Sequence, residues 1–222
     1  MSGLNTSLNF INSWREVLSL HKAIAVIRSP NQKIGLAMAQ AVANGGIRLI
    51  EITWNSDQPE KLIAELRVRL PHCYIGVGTI LNLEQLADAI ASGAQFVFCP
   101  HYNPSIVTTA VEQYRVPIVP GALSPTEIIN AWQGGASAVK VFPIETVGGA
   151  NYIKCLQAPL GHIPLIPTGG VRMDNAKEML TAGALAVGIS SSLFPKSLLV
   201  AGNWREITHR AQILCSELAN YP

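Results

Sequence analysis

Eight short apolar runs, each followed by a plausible helix, constrain this 222-residue chain more than any other feature. They are Ala23 to Ile27 (ending on Arg28), Leu49 to Thr53, Tyr74 to Gly78, Phe96 to Cys99, Pro117 to Val119, Ala138 to Phe142, Pro164 to Ile166 and Ala186 to Ile189. Helical stretches after the first four run over Ile34 to Ala43, Pro59 to Leu70, Leu83 to Ala91 and Pro104 to Tyr114. Strands this uniformly apolar need cover on both faces, which a parallel sheet with crossover helices supplies. Small residues also recur between a helix and the next strand, at Gly45-Gly46, Gly93-Ala94, Gly134-Gly135 and Gly183-Ala184. Each interval holds two strand-helix units, so the chain reads as four quarters of one closed sheet. An open doubly wound sheet fits less well, because no GxGxxG opens the first unit. The expectation is α/β: a single (β/α)8 TIM barrel over residues 1–222, with residues 1–22 as an N-terminal helical extension. In that extension Leu8, Ile11, Val17, Leu18 and Leu20 fall near helical spacing and would plug one end of the barrel.

A chain that is 49% hydrophobic and 14% charged can bury one large core at this length. Its 16 basic and 14 acidic residues are scattered, with no basic block to track nucleic acid or an anionic membrane. The start of the chain lacks a basic segment followed by an apolar run, and no stretch approaches the ~20 apolar residues of a membrane span. A soluble, cytoplasmic protein is expected. Cys73, Cys99, Cys155 and Cys215 lie far apart without metal-ligand spacing, and the five histidines form no ligand set, so neither disulfides nor a metal is expected.

Barrel active sites sit at the C-terminal ends of the strands, so polar residues there carry the chemistry. Lys140 is alone in Ala138-Val139-Lys140-Val141-Phe142, and a buried ammonium tends to shed its proton, which makes it a candidate amine nucleophile. Glu51, Thr53 and Asn55 alternate and would share one face of the second strand, as Lys140 and Phe142 would on the sixth. The bland readings are a lysine that reaches solvent, or a buried Glu51–Lys140 ion pair without catalytic duty. Two further turns, Pro167-Thr168-Gly169-Gly170-Val171 and Gly188-Ile189-Ser190-Ser191-Ser192, would offer backbone N–H groups and hydroxyls to a phosphate. Lysine, glutamate and phosphate cradle together suit a carbonyl substrate phosphorylated at its far end, which the amine attacks to give an electron-withdrawing iminium without a metal.

These residues resemble, in order along the chain, the 2-keto-3-deoxy-6-phosphogluconate (KDPG) aldolases and the related 4-hydroxy-2-oxoglutarate (KHG) and 6-phosphogalactonate enzymes. The resemblance implies that Lys140 in Val139-Lys140-Val141-Phe142-Pro143 forms the Schiff base and that Glu51 transfers protons. It implies Phe142 beside the lysine, Thr79 in Gly76-Val77-Gly78-Thr79 against the pyruvoyl part, and Pro100 lining that pocket. Gly169, Gly170 and Ser191 match the phosphate turns, with Ser190 standing where relatives often have glycine. Asn55 replaces a carboxylate-binding arginine found in some members, and Arg28 in Val26-Ile27-Arg28 is similar to the residue that others use for that carboxylate. Thr53 completes the substrate-binding set.

The family's activity is then the expected one: a homotrimeric class I aldolase cleaving KDPG to pyruvate and glyceraldehyde 3-phosphate, and 4-hydroxy-2-oxoglutarate to pyruvate and glyoxylate. The alternatives are a 6-phosphogalactonate-preferring aldolase of the same family, or a phosphosugar-binding barrel acting as an isomerase, an epimerase or a non-catalytic sensor.

Overall fold

The computed structural model describes residues 14–219. A helical stretch over residues 14–21, α1, leads into β1 (Ala23–Ile27), α2 (Gln32–Asn44), β2 (Leu49–Thr53), α3 (Pro59–Arg69), β3 (Tyr74–Gly78) and α4 (Leu83–Ala91). Then follow β4 (Val97–Phe98), α5 (Pro104–Thr108), β5 (Ile118–Val119), β6 (Gly121–Ala122), α6 (Pro125–Gln133), β7 (Val139–Val141) and α7 (Ala150–Leu160). The chain ends with β8 (Leu165–Pro167), α8 (Ala176–Thr181), β9 (Val187–Ile189), α9 (Lys196–Ala201) and α10 (Trp204–Ala219). Residues 8–13 of the expected N-terminal helix lie outside the described residues.

Local chemistry starts the helices where the sequence places them. Asn31, Asn82, Asn103 and Ser124 accept backbone N–H groups at the starts of α2, α4, α5 and α6, and Glu127 closes a capping box with Ser124. Pro59, Pro104 and Pro125 occupy first turns, where a missing N–H does no harm. Gly46, Gly93, Gly135 and Gly183, the recurring helix-to-strand glycines, all have φ between 96° and 107°, which explains the repeat because a Cβ is disfavoured there.

Among the described residues all strand pairs are parallel, in a six-stranded sheet ordered β5-β4-β3-β2-β1-β9 and a three-stranded sheet ordered β6-β7-β8. The ladders thus fall short of the single eight-stranded sheet expected. Two local causes account for it. Pro120 has no N–H to give and separates β5 from β6, although its carbonyl still accepts from Lys140 N at 2.9 Å. Between β8 and β9 the pairing reduces to one parallel bridge, Thr168 to Gly188.

Alternation along the strands sorts side chains into two cores. Ala23, Ala25 and Ile27, Ile50 and Ile52, and Val139 and Val141 pack outward under the helices. Ile24, Val26, Leu49, Phe96, Phe98, Val119, Ala138, Ile166 and Ala186 pack inward, where Trp14 and Leu18 of α1 join them. Trp14 stacks on Phe96 with centroids 5.0 Å apart, and Phe96 meets Phe98 edge-on at 5.8 Å. The described part of the N-terminal helix therefore fills one end of the inner core, and the polar residues of the same inward face collect at the other.

Candidate active site

A cleft of about 370 Å³ opens beyond the C-terminal ends of the strands. Its walls include Arg28, Glu51, Thr53, Thr79, Pro100 and Lys140, followed by Phe142, Gly169, Gly170, Ser190 and Ser191. These are all of the sequence-derived candidates except Asn55. β2 ends at Thr53, and a turn closed by Ser56 N donating to Thr53 O replaces the strand, so the two-residue alternation stops. Asn55 consequently lies exposed outside the cleft, and Trp54 packs against the outer core.

Lys140 is only 6% exposed, with Nζ 4.8 Å from the Phe142 ring centre and 5.9 Å from that of Phe98. The rings shield the amine and offer cation–π stabilisation whenever it is charged. Glu51 is 1% exposed, and its Oε2 has no hydrogen-bond partner. Burial raises its pKa above the ordinary value of 4.5, against the opposing pull of Lys140 first and Arg28 second. Among the described residues Glu51 and Lys140 make no ion pair within 4.0 Å, so the carboxyl and the amine feel each other across the cleft without touching. Arg28, exposed at the cleft, forms no ion pair or hydrogen bond among the described residues and is free to meet an anion.

The strand beside Glu51 is shaped for it. β3 pairs Gly78 with Thr53 and Gly76 with Glu51. A Cβ on Gly76 would fall 2.3 Å from the Phe96 ring, and one on Gly78 only 1.7 Å from Glu51 Oε1. These glycines are requirements of the site, although the sequence points to Thr79 alone in this stretch. Two glycines two residues apart in an otherwise apolar strand were the available signal of close approach. Thr79, next along, holds φ at 63°, a strained value for a β-branched residue of the kind found where a site dictates the backbone.

Two turns close the far side. Gly169 and Gly170 hold φ of 81° and 97°, and their N–H groups donate to nothing among the described residues. Asn175 Nδ2 donates to Gly170 O, and Asn175 Oδ1 accepts from Arg172 N. Ser190 Oγ donates to Val26 O, leaving the Ser191 hydroxyl and N–H uncommitted. Ser192 ties the turns together: its Oγ accepts from Met173 N, and its carbonyl accepts from both Nε and Nη2 of Arg210. Thr168, which sequence reasoning passed over as part of a turn, is buried in the cleft wall with its Oγ1 unpartnered. A Cβ on Gly188 would lie 2.5 Å from that hydroxyl. Cys99 plays no nucleophilic part, because burial pushes its thiol up to about 12. No cluster of three or more metal-ligating side chains occurs among the described residues, and no helix there is long and apolar enough to cross a membrane.

Comparison with known proteins meets this geometry. Residues 15–210 match the family model described as KDPG and KHG aldolase. The 2-dehydro-3-deoxy-phosphogluconate aldolase of Haemophilus influenzae is 35% identical over 202 residues, covering 91% of this chain and 93% of its own. The enzyme of that name from Treponema pallidum is 33% identical, covering 89% and 93%. Among solved structures, the KDPG aldolase of Legionella pneumophila, with pyruvate captured as a covalent carbinolamine intermediate, superposes with a TM-score of 0.83 at 26% identity, over 90% of this chain and 97% of its own.

Proposed function

The chain belongs to the KDPG and KHG aldolase family, and on that footing we propose that it is a class I aldolase using Lys140 as its Schiff-base nucleophile. It cleaves KDPG to pyruvate and glyceraldehyde 3-phosphate, and 4-hydroxy-2-oxoglutarate to pyruvate and glyoxylate. The observation that carries this reading is the pairing of a buried lysine with a buried, unneutralised carboxyl on one cleft, held apart instead of locked as a salt bridge.

Lys140 Nζ, as the free amine, attacks the C2 carbonyl, and the proton passes from nitrogen to the new hydroxyl. Protonated Glu51, its pKa lifted by burial, supplies the proton with which that hydroxyl leaves as water, giving the iminium. The Glu51 carboxylate then takes the proton of the C4 hydroxyl. The C3–C4 bond breaks, its electrons move into the iminium, and the aldehyde departs from an enamine. Glu51 returns its proton to C3, and water frees pyruvate from the lysine. Arg28 receives the substrate carboxylate through a two-pronged contact. Thr53, Thr79, Pro100 and Phe142 confine the pyruvoyl end, and Thr168 offers its unpartnered hydroxyl to the substrate's own. Gly169, Gly170, Ser190 and Ser191 hold the phosphate, supported by the uncommitted N–H groups of the glycines. Asn55 has no part in this site.

The same proposal includes a closed eight-stranded (β/α)8 barrel forming one domain. Its support is the strand through Pro120, bonded to β4 on one side and β7 on the other, together with the Thr168–Gly188 bridge. It also includes cytoplasmic action as a homotrimer, which light scattering tests directly.

Incubation with pyruvate and borohydride should fix a pyruvyl adduct on Lys140, read by peptide mass, and Lys140→Met should abolish both the adduct and turnover. Turnover persisting in that variant would sink the assignment.

A further inference from the structure

One charge beside the cleft works against a phosphorylated substrate. Glu145, just beyond β7, lies with its side chain against Gly170: a Cβ placed on that glycine would sit 2.2 Å from Glu145 Cβ and 2.8 Å from Oε2. Its N–H donates to Gly169 O, so the residue is pinned over the glycine turn by backbone as well as by packing. A carboxylate there faces the turn whose free N–H groups would receive an anion. Arg172, two residues past Gly170, answers it, with Nη1 3.1 Å from Glu145 Oε1 and Nε 3.1 Å from Asp174 Oδ1. The arginine is held at its backbone too, since its N–H donates to Asn175 Oδ1, the residue whose Nδ2 holds Gly170 O.

We propose that Arg172 is a specificity-determining residue that acts through Glu145: by cancelling the carboxylate pinned over Gly170, it lets the glycine turn accept a phosphate dianion. The inference rests on the phosphate site proposed above. It gives Arg172 no contact with substrate, and it separates the two substrate classes. A phosphorylated keto acid feels Glu145 once Arg172 is gone, whereas an unphosphorylated one ends short of that turn. The pair is largely exposed, with side chains 49% and 65% accessible, so solvent screens it. An uncancelled charge a few ångströms from a dianion in that setting should weaken binding roughly three- to tenfold.

The test compares wild type, Arg172→Gln, Glu145→Gln and the double variant in steady-state cleavage of KDPG and of 4-hydroxy-2-oxoglutarate. Arg172→Gln should raise KM for KDPG about three- to tenfold, with kcat and the KM for 4-hydroxy-2-oxoglutarate unchanged within about twofold. The double variant should recover the wild-type KM, and the Arg172→Gln defect should shrink as ionic strength rises from about 0.02 to 0.5 M. If the double variant binds KDPG as poorly as Arg172→Gln, the arginine touches the phosphate itself and the inference is overturned. An equal rise of KM for both substrates, or none for either, overturns it as well. A wild-type enzyme without preference for the phosphorylated substrate would remove the phosphate site on which the inference stands.

Discussion

Replacing Gly78 by alanine tests the placement of the proton-transfer group with a single methyl. Backbone at Gly78 lies outside the left-handed region, so alanine meets no conformational strain, and the change in an unstrained strand should by itself favour folding by about 0.5–1 kcal/mol. The clash is with one side chain only: the new Cβ would lie 1.7 Å from Glu51 Oε1, 2.5 Å from Cδ and 2.9 Å from Cγ. Ordinary contact is roughly 3.5 Å, so the carboxyl must retreat by about 2 Å. Misplacement by about 1 Å is enough for a ~10²-fold loss, and removal of a general acid–base for about 10²–10⁴. Gly78→Ala should therefore lower kcat about 10²- to 10³-fold in a coupled pyruvate-release assay, and should slow borohydride trapping of pyruvate. A companion variant isolates the cause. With Glu51→Ala the clash is gone, so Gly78→Ala should stabilise that background while destabilising or leaving unchanged the parent, a coupling readable by urea unfolding. If Gly78→Ala keeps kcat within about threefold of the parent, the location of the Glu51 carboxyl cannot be what sets the rate, and the role given to it fails.

Three other outcomes follow from the same structure. Glu51→Gln should lose about 10²–10⁴ in kcat yet unfold at higher urea than the parent near neutral pH. Burial raises this carboxyl's pKa, so the folded parent loses stability as pH climbs from about 4.5 through the raised value; the advantage of the glutamine should grow over that window and then level off, which unfolding at pH 4 and pH 7.5 would reveal. Trp14→Ala empties an inner-core position that is 4% exposed and stacked on Phe96, so it should cost about 3–5 kcal/mol, and a thermal scan showing less than about 1 kcal/mol would contradict the packing described. Asn55→Ala should leave both kcat and KM within about twofold, because the side chain lies outside the cleft; a tenfold loss would return it to the substrate site.

The strands were legible because parallel sheets buried on both faces leave nearly pure apolar runs, in which a lone Lys140 or Glu51 stands out. The four positive-φ glycines marked the repeat for a similarly local reason. What escaped depended on where chains meet. The second apolar run was legible to its end at Thr53, but carrying its alternation two residues past that end placed Asn55 on the same face, where a turn takes over. Gly78 matters only because the register sets it beside the Glu51 carboxyl, and Thr168 only because its N–H is held by β7 while Gly188 of β9 leaves room for its hydroxyl. The interruption at Pro120 could be foreseen from proline's missing N–H, but not its outcome, since the carbonyl still serves the neighbouring strand.

The aromatic column links the two ends of the inner core. Trp14 rests on Phe96, Phe96 meets Phe98, and the Phe98 ring centre lies 5.9 Å from Lys140 Nζ. The reactive nitrogen thus stands over a column of three contacting rings whose base belongs to a helix before the first strand. That footing is buried, so a change near the chain's start that disturbs Trp14 would reach the chemistry by loosening the floor under the lysine.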